Sequence, residues 1–357
     1  MKTLLLCPEL FARESGIQRI LRLYLKALCD LAEVGDEVSL VVLNDAEFPP
    51  GQLQRYANEK LTERRPCGGG KAGFIRQALR ASAGADRVVC GHLGQLGVAW
   101  LARCLHPRLD YYLVAHGIEV WRRYSWIERL ALRRARRILC VSDFTRREMQ
   151  RRIALPESQL VVVPNGLDPL FDGTLSETMT APGDPIILTV ARLDARERYK
   201  GVDHLIEAMP AVRLVVPETR LRIIGTGSDL PRLQEMATRL GAADAVDFAG
   251  FVNDDGLSAA YRECALFALP SSGEGFGIVF LEAMAYGKPC LGARAGAIPE
   301  IIDGTSGVLV DYGAISQIAA KTVWALQRPW NSEQIRQRAA QFSYPAFRER
   351  LRHALAG

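Results

Sequence analysis

The chain has 357 residues, 48% hydrophobic and 24% charged, which excludes a disordered or fibrous protein and allows two hydrophobic cores. Its net charge of +5 is uneven: residues 1–170 carry +8 and the remainder −3. That excess lies between Trp121 and Arg152, where eleven arginines accompany only Glu128, Asp143 and Glu148.

The opening run Met1-Lys2-Thr3-Leu4-Leu5-Leu6-Cys7-Pro8 reads as a first buried strand, not a secretion signal. Further strands are expected at Val38–Leu43, Val88–Cys90, Tyr111–Ala115, Ile138–Val141 and Leu160–Val163. Between several of them lie helical patterns such as Ile17–Ala32, with Ile20, Leu21, Tyr24, Leu25 and Leu28 on one stripe. The segment Glu47–Ala72 carries no motif and reads as loop. Asp172–Pro185, rich in Gly, Thr, Ser and Pro, is a linker signal. The pattern then restarts, with strands at Ile186–Val190, Leu221–Gly225, Val246–Ala249, Leu266–Leu269, Pro289–Gly292 and Gly307–Val310. Helices are expected at Val202–Met209, Leu230–Leu240 and Tyr344–Ala356. Two series of this kind imply two doubly wound α/β domains with parallel sheets, residues 1–168 and 169–343, and a terminal helix, 344–357, that stays with the second or packs back on the first. Ligands of such sheets bind at the carboxyl ends of the strands, so the cleft between domains is the expected active site.

The longest stretch free of Asp, Glu, Lys and Arg, Val88 to Ala102, is too short for a membrane span. Eight scattered cysteines without a Cys-x-x-Cys pair read as free thiols of a cytoplasmic protein, and no His or Cys spacing suggests a metal. The arginines of Trp121–Arg152 interleave with Trp121, Trp126, Ile127, Leu130 and Leu132. This pattern fits either an anionic membrane surface or a solvated helix face with arginine stems packed on the domain. No nucleic-acid-binding motif accompanies it.

Chemistry is concentrated in Pro270-Ser271-Ser272-Gly273-Glu274-Gly275-Phe276-Gly277-Ile278-Val279-Phe280-Leu281-Glu282. It follows a strand, passes through three glycines and opens a helix. Close backbone approach and exposed first-turn amides make the region of Gly277 a place for a diphosphate. Glu274 lies before the helix and Glu282 about a turn into it, so they do not share a face and are expected to hold opposite ends of one elongated ligand. A carboxylate accepting two hydroxyl protons suits a ribose diol at one end and sugar hydroxyls at the other.

Glu274 and Glu282, seven residues apart, resemble the Glu-x7-Glu motif of retaining glycosyltransferases of family 4 and the GT-B fold, two Rossmann-like domains facing across a cleft. Four further segments agree in order: Val163-Pro164-Asn165-Gly166-Leu167-Asp168, Val190-Ala191-Arg192-Leu193 with Lys200-Gly201, Ala295-Gly296-Ala297-Ile298-Pro299-Glu300, and Asp303-Gly304-Thr305-Ser306-Gly307. The resemblance implies a nucleotide diphosphate sugar as co-substrate, a saccharide or polyprenyl-linked saccharide as acceptor, and no metal or other cofactor. It implies that Glu282 holds the ribose, that Glu274 holds the donor sugar hydroxyls, and that Gly275, Phe276, Gly277, Ile278 and Val279 line sugar and diphosphate. Arg192 and Lys200 would neutralise the departing diphosphate, Val252 would lie near the base, Gly16 would let its loop approach the diphosphate, and His116 would contact the donor sugar. Ser15-Gly16 replaces the paired glycines of many relatives, leaving an ordinary helix-entry turn as the other reading. The long Arg192–Lys200 interval contains Arg196 and Arg198, either of which is an alternative to Lys200. The run Ala115–Trp121 resembles bacterial exopolysaccharide mannosyltransferases and gives GDP-mannose as a first guess over a UDP-hexose. Relatives of this kind often extend lipid-linked saccharides, which favours the membrane reading of the arginine cluster and peripheral attachment. The other readings are a nucleotide-sugar epimerase of similar fold and a non-catalytic nucleotide-sugar-binding partner.

Overall fold

The computed structural model describes residues 1–13, 15–171 and 185–356. They form two compact units, residues 1–168 with 344–357, and residues 169–343. Glu14 and most of the expected linker, residues 172–184, lie outside the described residues, as does Gly357.

Unit 1 contains a seven-stranded sheet of β1 (Lys2–Cys7), β2 (Glu37–Val42), β3 (Leu61–Pro66), β4 (Arg87–Cys90), β5 (Asp110–Ala115), β6 (Arg137–Cys140) and β7 (Leu160–Val162). All pairings are parallel, in the order β3-β2-β1-β4-β5-β6-β7. Unit 2 contains β8 (Ile186–Val190), β9 (Arg220–Ile224), β10 (Val246–Gly250), β11 (Leu266–Leu269), β12 (Cys290–Ala293) and β13 (Gly307–Val310), parallel in the order β10-β9-β8-β11-β12-β13. The central strands read as unbroken apolar runs because helices cover both faces. Leu4, Leu5 and Leu6 of β1 and all of β11 are buried accordingly. Each sheet has one topological switch point, between β1 and β4 in unit 1 and between β8 and β11 in unit 2, where the crossovers run in opposite directions.

The reading of Glu47–Ala72 as loop is corrected. It holds the helix Pro50–Tyr56 and the edge strand β3, which pairs only with β2. The strand Leu61-Thr62-Glu63-Arg64-Arg65-Pro66 alternates half-buried and exposed residues and carries charge on both faces, Arg64 on the exposed one and Glu63 and Arg65 on the half-buried one, together with a proline, as protected edges do. It therefore lacks the apolar run that reveals a central strand. The helix Tyr344–Ala356 belongs to unit 1. Its Phe347 meets Tyr24 edge-on at 5.1 Å, Tyr344 donates to Asp30 at 2.5 Å, and Arg137 donates to the carbonyl of Ala354 at 2.9 Å.

All eight cysteines are free thiols, and burial pushes those of Cys90 and Cys264 up to about 12. No helix among the described residues is long and apolar enough to cross a membrane.

The arginine-rich segment divides in two. Arg146 and Arg147 pair with Asp143, and Arg151 and Arg152 with Glu148. The helix Trp126–Arg134, opened by a Ser125–Glu128 capping box, instead leaves Arg133, Arg134 and Trp126 exposed, the last at 73%.

Candidate active site

In unit 2 the loops leaving β8 and β11 meet at the switch point. The amide of Ser272 donates to the carbonyl of Tyr199 at 2.8 Å, and Lys200 Nζ lies 3.0 Å from Glu274 Oε1. The side chains of this pair are only 18% and 15% exposed. Burial works against the charge on Lys200, but Glu274, helped by Tyr199 and Glu197, more than offsets it, so the ammonium pKa is raised. The loop after β8 is fixed from its other side by the one after β9. Leu193 N–H donates to the Thr226 carbonyl at 2.9 Å, and Asp229 N–H donates back to the Leu193 carbonyl at 2.8 Å.

Arg192 lines the same depression as Lys200 and is ion-paired with Glu197. The two alternative arginines differ: Arg196 is 90% exposed and pairs with Asp194, whereas Arg198 lines the same depression as Arg192 and Lys200 and pairs there with Asp229. Asp229 is also held by Arg232, whose other carboxylate partner is Asp203.

Glu274 is braced from behind. Its carbonyl accepts the Ala297 amide at 3.0 Å, and Gly296, at φ +59°, approaches so closely that a Cβ there would lie 2.6 Å from that oxygen. This gives the Ala295–Glu300 motif a physical task. The loop continues through half-buried Gly275 to Phe276, which packs edge-on against Phe342 at 5.8 Å. Gly277, at φ +96°, then caps the helix Ile278–Ala285. Only glycine takes that angle without strain, and it leaves the first-turn amides of Ile278 and Val279 at the helix's positive end.

Glu282 lies one turn along this helix and is 1% exposed. Tyr261, from the helix Asp254–Glu263, donates its hydroxyl to Glu282 Oε2 at 2.7 Å. A carboxylate so deeply placed is oriented before any ligand arrives. Val252 is half-buried in the loop after the edge strand β10, away from the switch point.

Unit 1 carries the remaining two candidates. Gly16 is exposed at the start of the helix Gly16–Asp30, which follows the loop after β1. His116 follows β5 and is buried, with Nε2 at 2.8 Å from the Gly91 carbonyl. A carbonyl only accepts, so Nε2 carries the proton and Nδ1 keeps its lone pair. Burial lowers the imidazole pKa to about 4 despite that hydrogen bond. The His116 amide donates to Glu119 Oε1 at 2.5 Å, and the His92 ring stacks at 6.4 Å.

Two family models match this chain: Glycosyltransferase Family 4 over residues 16–170 and Glycosyl transferases group 1 over residues 176–342. The chain belongs to glycosyltransferase family 4. A GDP-mannose-dependent alpha-(1-6)-phosphatidylinositol monomannoside mannosyltransferase of Mycolicibacterium smegmatis is 36% identical over 214 residues, 55% of this chain and 55% of that protein. The chain thus spans about half the length of the curated relatives it matches. Among solved structures, HepE of Anabaena in complex with UDP and glucose aligns at TM-score 0.77 and 20% identity, covering 100% of this chain and 99% of that one. The lipopolysaccharide outer core galactosyltransferase WaaB aligns at 0.76 and 18% identity, covering 100% and 99%. Both show the fold, two Rossmann-like units of the GT-B type.

Within this family 4 chain the structure brings together Arg192, Lys200 and Glu274, with Gly275 to Val279 on the adjoining loop and helix start. Four residues escape the sequence reading: Tyr261, which orients Glu282; Glu197, which holds Arg192; and Gly91 and Glu119, which fix His116. Each acts through a partner distant in sequence or through a bond that no motif announces. Among the described residues no group of three or more His, Cys, Asp or Glu side chains forms a metal-binding set.

Proposed function

We propose that this protein transfers a hexose, with retention, from a nucleotide diphosphate sugar to a saccharide acceptor. Unit 2 binds the donor and unit 1 the acceptor. The observation that carries the reading is the Lys200–Glu274 pair at the β8/β11 switch point, beside Arg192 and the Gly277-capped helix. That is the charge pattern a sugar diphosphate needs: cations and helix amides for phosphate, and carboxylates for hydroxyls.

The bond from the anomeric carbon to the diphosphate breaks, and a bond from that carbon to an acceptor hydroxyl oxygen forms. Charge grows on the departing oxygen, where Arg192 and Lys200 stabilise it, so the residues at hand supply the positive charge without a metal. As Lys200 turns to the diphosphate, Glu274 is released to accept sugar hydroxyls, while Glu282 holds the ribose and Val252 lies near the base. Gly16 lets its helix start approach the diphosphate. His116, neutral at pH 7 with Nδ1 as acceptor, receives a hydrogen bond from a donor-sugar hydroxyl and does not act as a general acid.

The mannosyltransferase similarity supports GDP-mannose as the first donor to try and a lipid-linked acceptor. Exposed Arg133 and Arg134 beside Trp126 support contact with an anionic bilayer, at about 1 kcal/mol per well-placed charge. Co-sedimentation with anionic but not neutral vesicles is the expected result, and equal partition with both contradicts the membrane contact.

The test of the reaction is incubation with GDP-mannose, UDP-glucose or UDP-galactose and mixed saccharide acceptors, with the product's anomeric proton read by NMR. An α-linked product from these α-configured donors is expected. An inverted product contradicts retention, and epimerised donor without transfer supports the epimerase reading instead.

A further inference from the structure

The two cations assigned to the diphosphate at the β8/β11 switch point are already engaged by glutamates, Lys200 by Glu274 and Arg192 by Glu197, while Arg198 beside them is held by Asp229. The two glutamates differ. Glu274 belongs to the Glu-x7-Glu pair and has a sugar to receive. Glu197 has no counterpart in that scheme. Its side chain is 14% exposed, one oxygen faces Arg192, and the other, Oε2, is buried with no hydrogen-bond partner among the described residues. A half-satisfied buried carboxylate is costly and calls for an explanation. Glu197 also stands at the base of the turn into Lys200, whose amide donates to its carbonyl at 3.0 Å, and its charge acts on Lys200 as well. One acidic residue thus faces both groups expected to grip the diphosphate.

We propose that Glu197 is a competing anion that governs release of the nucleoside diphosphate product by taking Arg192 back from it. The inference rests on the donor reading above. Two bare cations would hold a nucleoside diphosphate more firmly than the sugar conjugate, because losing the sugar leaves the diphosphate with additional negative charge. An internal carboxylate within reach of Arg192 opposes that excess. On donor binding Arg192 leaves Glu197 for the phosphate, and after transfer the exchange reverses. Glu197 touches no reacting atom in this scheme. It is a positioning residue acting through Arg192, and it bears most on a turnover limited by product departure.

The test is calorimetric titration of Glu197→Gln with whichever of UDP, GDP and ADP binds the unmodified protein, followed by steady-state kinetics with the matching sugar conjugate. Glutamine keeps the shape and a hydrogen bond to Arg192 while removing the charge. Expected are a product dissociation constant lower by roughly tenfold, stronger product inhibition, and a fall in kcat together with KM. In an Arg192→Ala background the same substitution should have little effect on product binding, since the two residues act as a pair. Asp244→Asn, which removes a carboxylate that pairs with Arg213 and does not line this depression, should leave product affinity unchanged. Product that binds Glu197→Gln no more tightly than the unmodified chain overturns the inference while leaving the donor site intact. So does an equal gain in the Arg192→Ala background. An unmodified chain that binds none of the three nucleotides overturns the donor reading and this inference with it. Glu197→Asp, which retains the charge on a shorter reach, should lie between the two and separates loss of charge from disturbance of the loop.

Discussion

Units 1 and 2 are wound alike, each with a parallel sheet whose strand order reverses once, and their switch points carry loops of opposite character. In unit 1 the loops around β1, β4 and β5 present a helix start at Gly16, a backbone carbonyl at Gly91 and the imidazole of His116, held neutral by burial. In unit 2 the loops after β8 and β11 present a cluster of ion-paired side chains, with Arg192 held by Glu197 and Lys200 by Glu274. The scaffold sets where a ligand sits, and the loop residues set what chemistry it meets. On the proposed reading, one unit grips a charged diphosphate and the other contacts hydroxyls through a neutral imidazole.

The largest effects should follow from damage to the charged switch point. Lys200→Ala or Glu274→Ala should reduce turnover by roughly 10²–10³-fold with the circular dichroism spectrum unchanged. A loss below tenfold would place the donor's charged groups elsewhere.

At the neutral switch point the corresponding effect is on stability. Folded His116 protonates only near pH 4, whereas the unfolded chain protonates near the ordinary imidazole value of about 6.5. Stability attributable to this residue is therefore full above that value and is lost as pH falls from about 6.5 towards 4, by about 3 kcal/mol at the low end. Urea titrations across that window should show a shallower acid loss for His116→Gln than for the unmodified chain. An identical slope would mean that the imidazole is not held neutral.

Smaller effects test the supports of unit 2. Tyr261→Phe removes the donor to the buried Glu282 and should cost about 1–3 kcal/mol in stability while raising KM for the donor more than it lowers kcat. Gly296→Ala places a side chain at a left-handed backbone angle against the Glu274 carbonyl. A loss of about 1–2 kcal/mol is expected by thermal melt, along with weaker nucleotide binding.

Much of this contrast can be read from the sequence. The apolar runs give the central strands to within a residue or two, and Glu274, Glu282, Arg192 and Lys200 stand in spaced motifs. Strand β3 escapes because an edge needs charge where a central strand needs leucine, so Glu63, Arg64 and Arg65 mask it. Tyr261 escapes because its partner is 21 residues away on another helix. Glu197 reads as one more charge in a polar loop until folding places it on Arg192. His116 is visible in the sequence, but its tautomer is not, since the carbonyl that sets it belongs to Gly91 on a different strand's loop. The candidate binding residues are legible from the motifs, whereas the side chains and carbonyls that orient them emerge only when distant loops are brought together.

The central claim is that the β8/β11 switch point is a donor site working through Arg192, Lys200, Glu274 and Glu282. Its most direct test is a thermal-shift panel of UDP, GDP, ADP and their sugar conjugates, with and without EDTA, on the unmodified chain and on Lys200→Ala. A ligand that binds only the folded state raises the midpoint. The account predicts a rise with one nucleotide, undiminished by EDTA and lost in Lys200→Ala. No rise with any nucleotide, or a rise that survives Lys200→Ala unchanged, would contradict it.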